Sequence, residues 1–462
     1  MLMTRAEEYF NSLSGKRVTV LGMGVSNAPL VDKLIKYGAQ VTVCDKREAE
    51  ALGEAAERLR SMGVETRLGA GYLEGLEADV IFRTPGMRPD LPQLVRAREA
   101  GSVITSEMEV FFELCPCRTV AVTGSDGKTT TTTLIAEMLK RAGYTVRLGG
   151  NIGKPLLPAI DEMKESDVAV AELSSFQLFT MKRSPDIAVV TNVTPNHLDV
   201  HRDMEEYVEA KRNILRWQDE NGLAVLNYDN DVTRRMADIA KGRVEFFSRA
   251  GMDGDGIVIS DGWIARRAAG GVEKLIKKDE ILIPGEHNVE NYMAAAGAVR
   301  GLVAAEQMRQ VAREFGGVPH RIELVREKDG VRYYNDSIAS SPARTTAGLR
   351  SFNQKLILIA GGYDKHIPFE PLAPEICDRV KTLVLVGATA EKIKKAVTGC
   401  EKYREGAPEI IMAGGFEEAV RGAAAAARSG DVVILSPACA SFDLFKNFEK
   451  RGEAFRDIVN SL

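Results

Sequence analysis

The sequence predicts an α/β protein in three blocks, with Rossmann-like doubly wound blocks on either side of a central one whose sheet is mainly parallel. Three observations lead there. Arg17-Val-Thr-Val-Leu21, a glycine turn, a helical stretch and a second apolar run make a βαβ opening. A glycine-rich turn, Thr123-Gly-Ser-Asp-Gly-Lys-Thr-Thr130, separates an apolar run from a helix. From about Pro319 onward, four apolar runs alternate with helical segments, and each ends in a polar loop. A chain of 462 residues also exceeds one ordinary core and suits two or three domains.

In the first block the strand Arg17–Leu21 leads into the turn Gly22-Met-Gly-Val-Ser26, and Ala28 to Tyr37 reads as a helix stopped by Gly38. A second strand, Gln40 to Cys44, ends at Asp45. Asn27 stands where G-x-G-x-x-G has its third glycine, so the nicotinamide fingerprint is incomplete. Asp45 is placed to hold a ribose or a base edge. Taken alone, the motif fits either a nucleotide site or an empty structural turn.

The central turn reads as a phosphate cradle. Its backbone N–H groups and the following helix N-terminus face an anion, Lys128 supplies a mobile charge, and Thr129 offers a hydroxyl to Mg²⁺. The position six before Lys128 is Val122, so the spacing is narrower than the general G-x-x-x-x-G-K-[ST]. The helix is expected from Lys128 to Ala142, with Gly143 as its stop. Strands at Asp167–Ala171 and Ile187–Val190 deliver Glu172 and the segment Thr191-Asn-Val-Thr-Pro-Asn-His-Leu-Asp199. Strand C-termini line the crevice of a parallel sheet, so Lys128, Glu172 and His197 are expected to converge.

Glu172 suits Mg²⁺ beside a triphosphate; the alternative is a buried acid paired to a lysine. His197 and His201 have i, i+4 spacing without the H-E-x-x-H pattern, and Pro195 and Asp199 argue for a loop. One imidazole is expected to face a metal or phosphate and the other to be ordinary surface. Asn288 and Asn291 lie one turn apart and suit a purine edge, although asparagines also merely cap helices.

In the third block the strands are expected at Val331–Tyr334, Lys355–Ala360, Leu383–Val386 and Val432–Leu435, with an alanine-rich helix face at Ala423–Ala427. Glycine and proline at Gly316-Gly-Val-Pro319 permit a hinge. A composition of 45% hydrophobic and 27% charged residues is that of a globular protein. A net charge of −4 provides no footprint for nucleic acid or anionic membrane. The acidic N-terminal stretch is not a signal peptide, and no apolar run approaches about 20 residues, so a cytoplasmic address is expected. The six cysteines include one close pair, Cys115-Pro-Cys117, which lacks a second ligand pair and reads as free thiols in a loop.

These segments resemble the Mur ligase family, which joins amino acids to UDP-N-acetylmuramoyl precursors of peptidoglycan. The matching segments are T-G-S-D-G-K-T-T-T from residue 123, G-G-N-I-G at 149–153, E-L-S-S-F-Q at 172–177, T-N-V-T-P-N-H-L-D at 191–199, P-G-E-H-N-V-E-N at 284–291, P-H-R at 319–321, N-D-S at 335–337 and L-S-P-A-C-A-S-F-D at 435–443. They follow family order across nearly the whole chain. Within the family, E-L-S-S-F-Q, L-S-P-A-C-A-S and Phe445-Lys-Asn-Phe-Glu-Lys-Arg-Gly452 are most similar to the branch that adds D-glutamate to UDP-N-acetylmuramoyl-L-alanine.

The resemblance implies a Rossmann-like UDP-binding domain over residues 1–113, a central P-loop ATPase domain over 114–318 and a Rossmann-like amino-acid-binding domain over 319–462. It implies ATP and Mg²⁺, with two metal sites, and a monomer without nucleic-acid or membrane partners. Carried over by position, Gly124, Ser125, Asp126, Gly127, Lys128, Thr129, Thr130, Asn288, Asn291, Arg321 and Asp336 match ATP contacts. Thr129 and Glu172 match the first Mg²⁺ site and His197 a second. Lys211 matches a lysine carbamoylated in relatives; without the resemblance it reads as an exposed helix lysine. Lys128, His197 and Lys211 are the implied catalytic residues. Gly24, Val25, Ser26, Asp45, Arg47, Gly86, Asn151 and His197 match contacts to the UDP substrate. Ser340, Lys365, Ser441, Phe442 and Phe448 match D-glutamate contacts.

One position departs. Where many relatives read D-S-K-A-T, this chain has Asp336-Ser-Ile-Ala-Ser340, with Ile338 in place of the lysine. Ser340 can replace the threonine hydroxyl, and Lys365 or Arg344 is expected to make up the charge. The competing readings are another ligase of the same group, a nicotinamide-dependent dehydrogenase, which leaves the phosphate loop unexplained, and a non-catalytic nucleotide switch.

Overall fold

The computed structural model describes residues 3–24, 26–198 and 200–462; Val25 and Asp199, both within the motifs above, lie outside the described residues. The chain divides into two compact units, Met1–Lys277 with Glu290–Val311, and Lys278–Val289 with Ala312–Leu462.

The first unit holds two sheets. One has five parallel strands in the order Glu65–Leu68, Gln40–Asp45, Arg17–Leu21, Val80–Phe82, Val103–Thr105. After Arg17, every residue of its middle strand is buried, as a strand covered on both faces requires. The helix runs Asn27–Lys36, one residue earlier at each end than expected. Asn27 explains its own departure from the glycine fingerprint. It is buried, and its amide donates to the carbonyls of Leu21 and Gly22 at 3.1 and 2.9 Å, closing the turn with a side chain.

The second sheet has nine strands, in the order Gly271–Lys277, Trp263–Ala268, Gly256–Ser260, Arg243–Ser248, Leu223–Asn227, Ile187–Val190, Arg118–Thr123, Val168–Glu172, Val146–Gly150. Pairing is parallel from Val146–Gly150 through to Gly256–Ser260 and antiparallel over the last two strands. Thr123, at the end of the third strand from the Val146–Gly150 edge, feeds the phosphate loop into the helix Lys128–Arg141. One apolar core joins the two sheets, running from Phe10, Leu30 and Val43 to Leu114, Ala121, Leu156 and Ala171. Polar ties reinforce it. Arg88 reaches the Glu206 carboxylate twice at 2.9 Å, Lys33 pairs with Asp161 at 2.7 Å, and the Glu107 carboxylate accepts the Leu157 N–H at 2.8 Å.

The second unit carries a sheet of six strands in the order Glu323–Lys328, Val331–Asn335, Val432–Leu435, Leu356–Ala360, Val380–Leu385, Glu409–Met412. Only the Glu323–Lys328 edge is antiparallel. The strand expected from Leu383 begins at Val380, and the alanine-rich face belongs to the helix Phe416–Ala426. Among the described residues, no helix is long and apolar enough to cross a membrane. All six cysteines are free thiols.

Candidate active site

The phosphate loop is held from behind by the segment after Ile187–Val190. Asn192 accepts the N–H of Ser125 on its carbonyl at 2.8 Å and that of Asp126 on its side chain at 2.9 Å, while Thr191 Oγ1 donates to the Asp126 carbonyl at 2.6 Å. Two glycines are sterically required. Gly124, at φ +152°, would put a Cβ 1.9 Å from Thr191 Oγ1, and Gly127, at φ +79°, would put one 2.3 Å from Asn291 Oδ1. Asn291 therefore packs on the loop itself, and its Oδ1 accepts from Thr131 at 3.2 Å. Lys128 curls over the turn, with Nζ donating to the carbonyls of Gly124 and Ser125 at 3.0 and 2.9 Å.

Glu172 is 2% exposed at the end of its strand. Its Oε2 accepts from Thr129 Oγ1 at 2.7 Å and its Oε1 from Asn151 Nδ2 at 2.9 Å, so the expected metal pair is assembled and Asn151 is tied to it. Mg²⁺ takes few protein oxygens and completes its octahedron with phosphate and water, and a carboxylate beside a hydroxyl at the loop's edge fits that demand.

Lys211 is not an exposed helix lysine. It is 1% exposed, on the helix Met204–Arg216, and its Nζ donates to the Gly124 carbonyl at 2.8 Å and to Thr123 Oγ1 at 3.2 Å, lying over the Tyr207 ring at 4.7 Å. Burial, reinforced by the charge of Lys128, drives its pKa well below that of an ordinary lysine, against the pull of Asp126 and Glu172.

His197 is exposed, adopts φ 56°, and meets the Phe176 ring edge-on at 5.1 Å. His201 corrects the expectation of a surface histidine. It is 2% exposed because Phe176 and Phe179 stack on its ring at 5.2 and 5.6 Å, and its Nε2 sits 2.9 Å from Ser175 Oγ. Burial lowers its pKa.

A cleft of about 530 Å³ is lined by Gly24, Ser26 and Gly86 from the first sheet and by Gly124, Lys128, Asn151, His197 and Lys211 from the second. Thr84, Pro85, Tyr207 and the Ser174–Gln177 turn also line it, and composition and spacing alone did not single them out. Asp45 and Arg47 do not line this cleft. Asp45 is buried and accepts the Met23 N–H at 2.8 Å and Arg47 Nη2 at 2.7 Å, so it braces the glycine turn, and Arg47 holds its pKa down at about 2.

In the second unit, Asp336 is buried and accepts from Ser436 Oγ at 2.7 Å; burial raises its pKa to about 7. Asn288, also buried, donates to the Pro284 carbonyl at 2.6 Å, and Arg321 is exposed. Around Ile338, Lys365 Nζ lies 3.4 Å from the Ser340 carbonyl and Arg344 Nη1 3.3 Å from that of Ile338. Ser441 is buried, and the Phe448 carbonyl accepts from Ser337 at 2.8 Å. Phe442 is largely exposed and meets Tyr363 edge-on.

Strand-borne phosphate loop, acid–hydroxyl pair and adjoining cleft define an α/β protein of the phosphate-loop class. Family models match almost end to end: the MurD-like N-terminal domain of Mur ligases over residues 16–106, the Mur ligase middle domain over 122–299, and the Mur ligase glutamate ligase domain over 320–439. The chain belongs to the Mur ligase family. Among curated relatives, the UDP-N-acetylmuramoylalanine–D-glutamate ligase of Acetivibrio thermocellus is 53% identical, covering 99% of each chain. That of Clostridium perfringens is 50% identical over 98% of this chain and 99% of its own. The structure of UDP-N-acetylmuramate–alanine ligase from Thermotoga maritima shares the fold, with TM-score 0.57 at 19% identity over 96% of this chain and 99% of that one.

Proposed function

We propose that this chain ligates D-glutamate to UDP-N-acetylmuramoyl-L-alanine with ATP, releasing ADP and phosphate, as a step of peptidoglycan precursor synthesis. The observation that carries the reading is the cleft lined both by the phosphate loop and by Gly24, Ser26, Gly86, Asn151 and His197 of the expected UDP-substrate contacts, in a chain half identical to such ligases over its whole length.

The chemistry follows from the substrate. A carboxylate repels a nucleophile and cannot expel oxide, so the alanyl carboxylate oxygen attacks the γ-phosphorus and ADP departs. The amine of D-glutamate then attacks the acyl phosphate carbon, and the tetrahedral intermediate loses phosphate and a proton to leave the amide. Lys128 and the loop N–H groups bear the charge that builds on the transferred group. Mg²⁺, held by Thr129 and Glu172, supplies further charge neutralisation on the phosphates. A second metal position falls to His197 and Lys211. The low pKa of Lys211 supports its carbamoylation: the neutral amine adds to CO₂, forms an N–C bond and releases a proton, so that a buried amine becomes an anionic oxygen ligand.

Asn288, Asn291, Arg321 and Asp336 hold the nucleotide. Gly24, Ser26, Gly86, Asn151 and His197 hold the UDP substrate from the cleft lining, and Asp45 with Arg47, outside that lining, braces the turn that carries Gly24. Ser340, Lys365, Ser441, Phe442 and Phe448 hold D-glutamate, and Lys365 supplies the charge absent at Ile338. The chain works as a cytoplasmic monomer with boundaries near residues 113 and 318. Phosphate release from Mg·ATP with UDP-N-acetylmuramoyl-L-alanine, comparing D-glutamate with L-glutamate, L-alanine and meso-diaminopimelate and weighing the product, tests the reading. Turnover with D-glutamate alone is expected, and none above background with any acceptor overturns it.

A further inference from the structure

We infer that Arg451 is the positioning residue of the acceptor pocket, tying together the two loops that carry the D-glutamate contacts and leaving its charge to the substrate's carboxylates. This rests on the assignment of those loops made under the proposed function.

The two loops leave adjacent parallel strands, Val331–Asn335 and Val432–Leu435, whose ends are in register at Asn335 and Leu435. Ser337 and Ser340 stand on one loop, and Cys439, Ala440 and Ser441 on the other. A strand end that turns into a buried loop leaves carbonyls without ladder partners, and each needs a donor. Arg451, on the helix Phe448–Ser461 and 2% exposed, meets that need on both sides. Its Nε donates to Ser337 Oγ at 3.0 Å and its Nη2 to the Ser337 carbonyl at 2.9 Å. Toward the other loop, Nη2 reaches the Cys439 carbonyl and Nη1 the Ala440 carbonyl, both at 3.1 Å. Four bonds from one planar fork fix the separation of the loops in a way that a lysine's single ammonium cannot. The helix also joins the pocket through Phe448, whose carbonyl accepts from Ser337.

Every acceptor of this guanidinium is uncharged, and no carboxylate forms an ion pair with it among the described residues. Burial lowers its pKa to about 10, which leaves it a cation at neutral pH. Asp443, on the second loop, acts on the guanidinium through space without an ion pair, so part of the field of this buried charge remains for an anion held by the two loops. A dicarboxylate amino acid bound between Ser340 and Ser441 is the anion that field suits. Arg451 acts through the loops and through this field, without touching the substrate.

Arg451→Lys, Arg451→Met and Ser337→Ala separate the possibilities, with KM for D-glutamate, Mg·ATP and the UDP substrate measured beside kcat and the thermal midpoint. Arg451→Lys keeps the charge and loses the fork, and should raise the D-glutamate KM by about tenfold while the UDP-substrate KM stays within about twofold. Ser337→Ala removes one of the four bonds and should shift the same KM by about threefold. Arg451→Met should exceed Arg451→Lys; if it does not fold, the other two variants decide. An unchanged D-glutamate KM in both, or a fall in kcat and thermal midpoint with all three KM values moving together, overturns the inference and leaves an ordinary structural arginine. A wild-type enzyme with no D-glutamate-dependent phosphate release would instead remove the ligase reading, a failure visible before any variant is made.

Discussion

The amine of Lys211 donates a 2.8 Å hydrogen bond to the carbonyl of Gly124, the first glycine of the phosphate loop, from a buried position over the Tyr207 ring. A protonated lysine there is opposed by burial and by Lys128. Both push the amine toward its neutral form, the form that reacts with CO₂.

Lys211→Arg puts a permanent charge at this position and cannot be carbamoylated. It should fold and lower kcat about 100-fold or more, the scale of losing one group that stabilises transition-state charge. Wild-type protein in ¹³C-bicarbonate should show a carbamate carbon resonance that disappears in the variant. Near-normal turnover of Lys211→Arg would rule out the carbamate.

Thr129 and Glu172 meet at 2.7 Å, and Asn151 occupies the other carboxylate oxygen. Glu172→Gln preserves the shape and removes the negative charge. The Mg²⁺ concentration for half-maximal phosphate release should rise about tenfold, with the thermal midpoint nearly unchanged. A Mg²⁺ titration identical to wild type would place the metal elsewhere.

Asp336 titrates in the opposite sense to most carboxylates. Burial raises its pKa from 3.8 to about 7, so between those values the folded chain holds a proton that the unfolded chain has lost. Its contribution to stability is fully present below about pH 4 and disappears as pH rises through about 7, a span on the order of 2–4 kcal/mol. Asp336→Asn keeps an acceptor for Ser436 and removes the titration. Urea denaturation should find the variant close to wild type at pH 4.5 and the more stable of the two at pH 8. A difference independent of pH would show that Asp336 is already ionised in the fold.

Much of the fold was legible because parallel sheets buried on both faces read as apolar runs: Arg17–Leu21, Ile187–Val190 and Val432–Leu435 fall where the sequence put them. The antiparallel end of the central sheet was not, since Trp263–Ala268 and Gly271–Lys277 mix charged and apolar residues without a run. At the site, Lys128, Thr129 and Glu172 could be read from local motifs with fixed spacing. Lys211 needed the family resemblance, because a lysine on an amphipathic helix looks solvated until the loop and Tyr207 close over it. His201 was misread for a related reason: its burial comes from Phe176 and Phe179, which stand more than twenty residues earlier in the chain.

Ile338 leaves the acceptor loop one cation short of the relatives' pattern, and two candidates approach it from different elements. Lys365 is exposed, and its Nζ lies 3.4 Å from the Ser340 carbonyl, a weak contact that a carboxylate of the substrate can displace. Arg344, also exposed, reaches the Ile338 carbonyl at 3.3 Å from the helix Pro342–Arg350. Lys365, whose contact falls on Ser340 itself, is the better placed of the two for a ligand held there. Lys365→Ala should raise the D-glutamate KM by about ten- to a hundredfold, the scale of one charge-assisted hydrogen bond, with kcat at saturation changed far less. Arg344→Ala should act more weakly. If Arg344→Ala raises that KM and Lys365→Ala does not, the charge comes from the helix and the exposed lysine has no part in binding the acceptor.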